Sequence, residues 1–214
     1  MLVGDFLYSR SFEMLVELGS MPVMKILSKA TRVIAEGEVL QLSKIRDAST
    51  SEETYMEVIR GKTAMLFEAS TQSAAALAEA SAEQNEALRL FGDHLGVAFQ
   101  LVDDLLDYKG DAATLGKNVG DDLAEGKPTL PLIYTMREGT AEQAALVRKA
   151  IQKGGLEDLE SIREAVQAAG ALDYTANLAR EYAERAIACL EVLPASAYRD
   201  ALVELSHFAV ARTH

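Results

Sequence analysis

Alanine, leucine and glutamate recur along the whole chain, and apolar positions such as Val33, Ile34 and Leu40 fall near one face of a helix. No run of β-branched residues alternates apolar and polar positions, so we expect no strands. Glycines and four prolines divide the helical pattern. The predicted helices span residues 5–18, 22–43, 50–80, 83–107, 130–138, 141–152, 156–168, 172–192 and 195–211. This pattern predicts an all-α fold, a bundle of long antiparallel helices.

One long polar segment, residues 108–129, interrupts the helical pattern. Its sequence, YKGDAATLGKNVGDDLAEGKPT, contains four glycines and three lysines. Compact domains rarely keep a connection of this length unless it has a function. A flexible connector is the competing interpretation.

Composition and charge exclude several classes of function. The 214 residues suit one large domain or two small ones, and about half of them are apolar, so a sizeable core is available. The net charge of −12 argues against a nucleic-acid-binding protein, because phosphate binding needs a basic face. Cys189 is the only cysteine, so an internal disulfide is impossible and a reducing, cytoplasmic setting is expected. No apolar run approaches the ~18 residues of a membrane span, and the first residues do not resemble a signal peptide.

An acidic stripe lies in the fourth predicted helix, within the string FQLVDDLLD. Gln100, Asp103, Asp104 and Asp107 are spaced i, i+3, i+4, i+7 and therefore share one helix face, with leucine and valine beside them. Like charges this close repel each other, and their burial without a partner is costly. Carboxylate oxygens suit a hard cation, so the stripe predicts Mg²⁺ shared with phosphate oxygens. A solvated acidic face is the alternative.

Two other metal chemistries fit poorly. A calcium-binding loop starting at Asp107 would need an acceptor where Lys109 stands and a glutamate where Asn118 stands. A carboxylate di-iron bundle needs two Glu-x-x-His motifs, and only Glu204 to His207 matches.

Lysines near the stripe in sequence supply candidate contacts for a diphosphate. Lys62 and Thr63 follow Gly61 inside a predicted helix, and Lys117 and Lys127 lie in the polar segment. A lysine is a suitable point-charge contact for phosphate oxygens. Each lysine alone is more typical of a solvated surface, but together with a metal stripe they predict a diphosphate site.

Several strings of this sequence resemble the trans-prenyl diphosphate synthases, and most closely their bacterial long-chain members, the octaprenyl type. The similarity extends over the chain and is carried by VGDFLYSRSF, GEVLQL, GKTAMLFEAS, FQLVDDLLDY and GKNVGDDLAEGKPTLPLIY. The resemblance implies the class I isoprenoid synthase fold. It also implies a prenyltransferase that condenses isopentenyl diphosphate onto an allylic prenyl diphosphate, making a long-chain polyprenyl diphosphate for a quinone side chain.

The resemblance assigns roles to individual residues. Asp103, Asp104 and Asp107 would bind Mg²⁺ that bridges to the allylic diphosphate. The substrate contacts would be Lys62, Lys117 and Lys127. Lys62, Thr63 and Gln100 would be the catalytic residues, the last two lying beside the developing allylic cation. The resemblance also implies a homodimer, and the small residues at 69–82 could be a contact surface or core.

The sequence departs from the family pattern at its start. The family has a first aspartate-rich motif, followed by arginines, upstream of its GDFLYSRSF-like segment. Here DDxxD occurs once, and Asp121-Asp122 is followed by Glu125 rather than an aspartate. We therefore expect residues 1–214 to form one helical prenyl synthase domain that lacks the N-terminal helices. We also expect this chain to be inactive alone, with the isopentenyl diphosphate site upstream.

Three other functions remain open from the sequence. The chain could be a non-catalytic helical subunit of a heteromeric prenyl synthase, although an intact DDxxD argues against that. It could be a class I terpene cyclase, although DDLLDYKGD at 103–111 lacks the Asn/Asp, Ser/Thr and Glu spacing of the second cyclase metal motif. A purely structural bundle is the third, and magnesium-dependent binding of a diphosphate analogue would separate it from the others.

Overall fold

The computed structural model describes residues 2–109 and 120–212, and these residues form helices and short connections without any β-strand. The helices are α1 (Leu2–Leu18), α2 (Met21–Lys44), α3 (Glu52–Ile59), α4 (Met65–Leu77), α5 (Ala82–Lys109), α6 (Asp121–Glu125), α7 (Leu130–Glu138), α8 (Ala141–Lys153), α9 (Leu159–Ala168), α10 (Ala171–Cys189) and α11 (Ala197–Ala211). The predicted all-α class is confirmed.

Local sequence signals explain where several helices begin. The Ser20 side chain accepts a hydrogen bond from the Val23 amide, and Pro22 occupies the first turn of α2. Ser51 caps α3 in the same way, and Thr140 forms a reciprocal capping box with Gln143 at α8. Such caps satisfy amides that have no partner inside the helix.

The helix predicted over residues 50–80 is not continuous. It consists of α3 and α4 joined by a five-residue π-helical turn, Arg60–Ala64. The turn inserts between two regular helices without a proline, so the sequence pattern alone did not reveal it. Lys62 and Thr63 both lie in this turn.

Helix α5 is the centre of the bundle and packs along α4 and α10. Val97, Ala98 and Leu101 are completely buried there, against residues of α3, α7 and α10. Glycines allow the close approach of α4 and of the π-helical turn: a Cβ on Gly92 would lie 2.7 Å from the Glu68 Cα, and a Cβ on Gly96 would lie 2.5 Å from the Ala64 Cα. The small residues Ala69 and Ala75 are likewise buried in this chain, so this part of the 69–82 surface is core.

A second apolar cluster fixes the chain that follows the undescribed residues 110–119. Leu123 of α6 is completely buried among side chains of α8 and α9, including Val147, Ile151 and Ile162. The Arg46 amide also donates a 2.8 Å hydrogen bond to the Gly126 carbonyl. These contacts hold α6 and the neighbouring Lys127 against the body of the bundle.

Helix α1 packs sparsely, because Leu15 is its only buried residue among those described. Large apolar side chains are exposed along its length: Leu2, Val3, Phe6, Leu7, Tyr8, Phe12, Met14, Val16 and Leu18. None of the described helices has the length and hydropathy required to cross a bilayer.

Candidate active site

A cavity of about 200 Å³ opens between α2, α3, the π-helical turn, α5 and the segment that follows α6. The described residues that line it include three carboxylates and three lysines, which are Asp103, Asp104, Asp122, Lys44, Lys62 and Lys127. Uncharged polar groups also line the cavity, namely Gln41, Thr50, Tyr55, Thr63, Gln100 and Thr129, together with the apolar Val58, Ile59 and Pro128. Both signs of charge therefore meet in one small space.

Asp104 is the most buried carboxylate of this cavity, with 3% of its surface exposed. The Tyr55 hydroxyl donates a 2.6 Å hydrogen bond to Oδ2, and Gln100 Nε2 donates a 2.8 Å hydrogen bond to Oδ1. The Thr63 hydroxyl donates in turn to Gln100 Oε1 at 2.8 Å. The structure thus joins three residues singled out from the sequence, Thr63, Gln100 and Asp104, into one hydrogen-bonded chain.

The charge on Asp104 is poorly compensated within the described residues. Burial is the largest cause and repulsion from Asp122 the second, and together they raise the pKa of Asp104 to about 8. Hydrogen bonds from Tyr55 and Gln100 act in the opposite direction and lower this pKa. Burial also raises the pKa of Tyr55 well above its usual value, with the Asp104 charge adding to the effect. Burial therefore favours the protonated form of Asp104, whereas a bound cation would favour its ionised form.

Asp107 has a different environment from its two neighbours in the stripe. It does not line the cavity; its Oδ1 accepts hydrogen bonds from the amides of Gly120 and Asp121, and its Oδ2 accepts one from Asp122. Burial and the Asp122 charge raise the pKa of Asp107 to about 6, against the effect of these amides. Asp107 thus anchors the start of α6, and its predicted role as a metal ligand stays a prediction.

The described residues supply suitable donors for a divalent cation, but they do not form a closed metal cage. Within 2–109 and 120–212, no three histidine, cysteine or acidic side chains converge as a ready-made metal site. Asp103, Asp104 and Asp122 nevertheless line the same cavity. Mg²⁺ usually takes only one or two carboxylates and completes its octahedron with water and phosphate oxygens. The donor set therefore fits Mg²⁺ shared with a diphosphate.

The two described candidate lysines are held by carboxylates and an amide. Lys62 Nζ donates to Gln41 Oε1 at 2.5 Å and lies 2.9 Å from a Glu38 carboxylate oxygen. Lys127 Nζ lies 3.0 Å from Asp122 and 2.9 Å from Glu125. Burial lowers the pKa of Lys127, but its contacts with these two carboxylates outweigh burial and raise the pKa overall. Lys117 falls outside the described residues.

Comparison with known families decides what kind of protein this is. The family model for polyprenyl synthetase matches residues 1–169, which is more than half of the chain. The chain belongs to the polyprenyl synthetase family.

Individual relatives within the polyprenyl synthetase family are similar to nearly all of this chain. Octaprenyl diphosphate synthase of Escherichia coli (strain K12) is 53% identical over 212 residues, which are 99% of this chain and 66% of that protein. A geranyl-diphosphate-specific all-trans-nonaprenyl-diphosphate synthase of Rhodobacter capsulatus is 52% identical over 211 residues, 99% of this chain and 65% of that protein. The chain thus spans slightly less than two thirds of the length of these relatives.

A solved structure extends the comparison to the fold. The polyprenyl synthase from Caulobacter crescentus CB15, complexed with calcium and isoprenyl diphosphate, superposes with a TM-score of 0.94 and is 47% identical. The match covers 100% of this chain and 66% of that one. The bundle is therefore the isoprenoid synthase fold that the sequence resemblance implied.

Several cavity residues of this polyprenyl synthetase chain were missed by sequence reasoning. Asp122 and Gln41 lie within the quoted strings GKNVGDDLAEGKPTLPLIY and GEVLQL but were given no role. Tyr55 had a weaker signal, since it precedes Ile59 and Lys62 by four and seven residues and so lies on the same helix face. Its hydrogen bond to Asp104 depends on the packing of α3 against α5, which no local pattern reports.

Proposed function

We propose that this chain carries the allylic-diphosphate side of a prenyltransferase active site. The observation that carries the proposal is one cavity where Asp103, Asp104 and Asp122 face Lys62 and Lys127. A diphosphate needs cations on its oxygens, and a cavity with both carboxylates and lysines provides for a bridging metal as well as direct contacts. The reaction would join isopentenyl diphosphate to an allylic prenyl diphosphate.

The metal side of the proposed site consists of Asp103 and Asp104, with Asp122 beside them and Asp107 retained as a predicted ligand. Bound Mg²⁺ would neutralise charge on the departing diphosphate as a Lewis acid. Ionisation of Asp104 would then be favoured, because a cation offsets both its burial and the repulsion from Asp122.

The lysines and the hydrogen-bonded pair Thr63 and Gln100 have separate roles in the proposed reaction. Lys62 and Lys127 would exchange or share their present carboxylate partners and contact diphosphate oxygens. Lys117 is a further predicted diphosphate contact. Breakage of the allylic C–O bond leaves its electron pair on the diphosphate and a positive charge on carbon. Thr63 and Gln100, which are joined by a hydrogen bond, would place oxygen dipoles beside that charge.

The remaining steps conserve atoms and charge. The double bond of isopentenyl diphosphate supplies the electron pair for the new carbon–carbon bond. A proton then leaves the adjacent carbon, and the departed diphosphate is the acceptor. Water must be kept away from the allylic cation, because addition of water would convert the cation into an alcohol.

The relatives support a long-chain product. The octaprenyl and nonaprenyl synthases are nearly equally similar to this chain, at 53% and 52% identity. We propose an octaprenyl-type product for a quinone side chain, on the sequence strings that resemble those enzymes. The Caulobacter crescentus complex with calcium and isoprenyl diphosphate supports a divalent cation beside a diphosphate, and Mg²⁺ is the proposed cofactor. The cytoplasmic location stays a prediction.

Turnover tests this function directly. The 214-residue sequence contains a single DDxxD, so we propose that the chain alone does not condense farnesyl diphosphate with labelled isopentenyl diphosphate and Mg²⁺. A chimera would add the N-terminal segment of the Escherichia coli octaprenyl diphosphate synthase, expected to supply the first aspartate-rich motif. The chimera should make labelled polyprenyl diphosphate, and Lys62→Ala should reduce its rate by about 10²-fold or more.

Matched controls separate the alternatives. Lys153→Ala should leave the chimera's rate unchanged, because Lys153 is exposed and does not line the cavity, and its salt bridge among the described residues is with Glu157. A folded chimera that binds magnesium pyrophosphate but does not turn over would favour the non-catalytic subunit. Consumption of farnesyl diphosphate without isopentenyl diphosphate, with release of a hydrocarbon, would favour the cyclase. Full activity of the 214-residue chain would refute its proposed inactivity.

The homodimer also stays a prediction. The exposed apolar residues of α1, among them Phe6, Leu7 and Phe12, support a covering partner, because contiguous apolar surface of this kind usually marks an interaction site. Sedimentation should give about twice the chain mass. A monomer would contradict the prediction for this chain.

A further inference from the structure

The π-helical turn Arg60–Ala64 is the element that brings Lys62 and Thr63 to the cavity. Such a turn holds one more residue than an α-helical turn, so it is wider and needs support from its neighbours. Here the support comes from two sides, α2 on one and α5 with α10 on the other.

On the α2 side, the support is direct contact between backbones at Gly37. A Cβ built on Gly37 would lie 2.6 Å from the backbone nitrogen of Lys62 and 2.7 Å from the Gly61 carbonyl carbon. A Cβ on Gly61 would lie 3.3 Å from the Gly37 Cα. Real Cβ atoms do not approach backbone as closely as 2.6 Å, so the present position of the Lys62 backbone requires glycine at 37.

The same stretch of α2 holds the end of the Lys62 side chain. Glu38 and Gln41, one and four residues after Gly37, contact Lys62 Nζ at 2.9 and 2.5 Å. Both the backbone and the ammonium group of Lys62 are thus placed by a single turn of α2. A shift of the π-helical turn away from α2 would break both sets of contacts at once.

On the opposite side, the turn has little room to move. Ala64 is completely buried, and a Cβ on Gly96 of α5 would lie 2.5 Å from its Cα. Arg60 Nη2 donates a 3.1 Å hydrogen bond to the Tyr182 hydroxyl of α10, and Arg60 Nε lies 3.6 Å from an Asp93 oxygen. A larger residue at 37 would therefore displace Lys62 within the cavity, because the rest of the turn is held.

We propose that Gly37 is a positioning residue that acts on the diphosphate site through Lys62. The proposal deepens the function above and rests on it, since Lys62 is taken as a diphosphate contact. Gly37 does not line the cavity that contains Lys62, so we expect no direct contact between Gly37 and the diphosphate. Its effect on binding should therefore disappear when the Lys62 side chain is removed.

A double-mutant cycle tests this dependence. Calorimetry with magnesium pyrophosphate should show that Gly37→Ala and Lys62→Ala each bind about tenfold more weakly than the wild type, or more weakly still. A loss of about tenfold is what removal of one hydrogen bond to a charged group typically causes. In the double variant, Gly37→Ala should add almost no further loss, because coupled residues are not additive. If Gly37→Ala weakens pyrophosphate binding by the same factor in the wild type and in Lys62→Ala, the proposal is overturned.

Gly92→Ala is the matched control. Its Cβ would lie 2.6 Å from the Phe67 carbonyl oxygen and 2.7 Å from the Glu68 Cα, a clash as severe as that at Gly37 but away from the cavity. It should lower the melting temperature without changing pyrophosphate affinity. If Gly37→Ala does not fold, Gly61→Ala replaces it with a milder clash in the same contact. An affinity loss in Gly92→Ala equal to that in Gly37→Ala would mean a general structural effect and would overturn the proposal.

A measurement without ligand separates this proposal from the proposed function. Acetylation of the Lys62 amine by acetic anhydride, followed by mass spectrometry against Lys153 in the same sample, should be faster in Gly37→Ala, because contacts with Glu38 and Gln41 are lost. Failure of the wild-type protein to bind magnesium pyrophosphate would refute the diphosphate site, and the acetylation rate would still decide the placement of Lys62. An unchanged rate would overturn the positioning role.

Discussion

The Tyr55 hydroxyl donates a 2.6 Å hydrogen bond to Asp104 Oδ2, joining α3 to the C-terminal part of α5 across 49 positions of sequence. Gln100 Nε2 donates a 2.8 Å hydrogen bond to the other carboxylate oxygen, Oδ1. Because both donors come from packed helices, the orientation of the carboxylate is set before any ligand arrives. Such preorganisation reduces the cost of binding a cation.

Loss of the Tyr55 hydroxyl should destabilise the protein in a pH-dependent way. Tyr55→Phe leaves Asp104 Oδ2 without its donor, and the hydrogen bond is stronger to the ionised carboxylate than to the acid. We expect a loss of about 1 kcal/mol in unfolding free energy near pH 6 and about 2 kcal/mol near pH 9. Urea denaturation without divalent cations measures both values. Tyr198→Phe, at a position 87% exposed, should cost nothing, and equal losses at both pH values would contradict the account.

The raised pKa of Asp104 makes the metal-free protein less stable as pH rises. The folded value of about 8 exceeds the usual 3.8, so the stabilising contribution is complete below about pH 4 and is lost as pH approaches 8. In this range the unfolding free energy falls by at most about 1.4 kcal/mol per pH unit, the limit for one proton. Urea denaturation between about pH 4 and pH 8 should show that the unfolding free energy of Asp104→Asn changes less with pH than that of the wild type.

Addition of Mg²⁺ to the same pH series gives the complementary test. A cation that binds ionised Asp104 stabilises the folded state most where the carboxylate is charged, so Mg²⁺ should reduce the loss of stability between about pH 6 and pH 8. Asp107, with a pKa raised to about 6, contributes a slope of the same sign and remains in Asp104→Asn as an internal reference. Identical profiles for the two proteins would contradict the assignment to Asp104.

Asp107 should control the order of the segment after α5 more than it controls the cavity. Asp107→Ala removes the acceptor of three amides at residues 120–122, so hydrogen exchange should accelerate in peptides covering 120–129. Asp103→Ala should leave that exchange unchanged, since these amides bind Asp107. Retained protection in Asp107→Ala would show that Leu123 packing alone holds α6.

Lys127 should contribute to diphosphate affinity, while the exposed Lys153 should not. Lys127 is half-buried and lines the cavity beside Asp122, so Lys127→Ala removes a cation and leaves Asp122 with less compensation. We expect about tenfold weaker binding of magnesium pyrophosphate by calorimetry. Lys153→Ala should bind as the wild type does. An affinity loss shared by both variants would point to net charge rather than a specific contact.

The sequence was informative wherever a feature is local. The spacing of Gln100, Asp103 and Asp104 predicted one helix face, and these three residues line the cavity together. Helix α7 begins and ends where the prolines and Gly139 indicated, at Leu130 and Glu138. Serine and threonine caps likewise mark helix starts that can be read from neighbouring residues.

Features that depend on packing between distant segments could not be predicted. The π-helical turn packs against Gly37 on one side and, through the buried Ala64, against α5 on the other, and neither contact produces a periodic pattern in the sequence. The same spacing rule that grouped Asp107 with its neighbours failed to show that amides of α6 occupy its carboxylate. Helical periodicity gives the direction of a side chain but not the partner that reaches it from another element.

Calorimetric titration with pyrophosphate, with and without Mg²⁺, tests the central claim most directly. The account predicts binding to the wild type only when Mg²⁺ is present, and at least about tenfold weaker binding to Asp103→Ala. Glu83→Ala is the matched control, because Glu83 lies in the first turn of the same helix and outside the cavity, and it should bind as the wild type does. Binding that is independent of Mg²⁺, or equal in all three proteins, would contradict a metal–diphosphate site at this cavity.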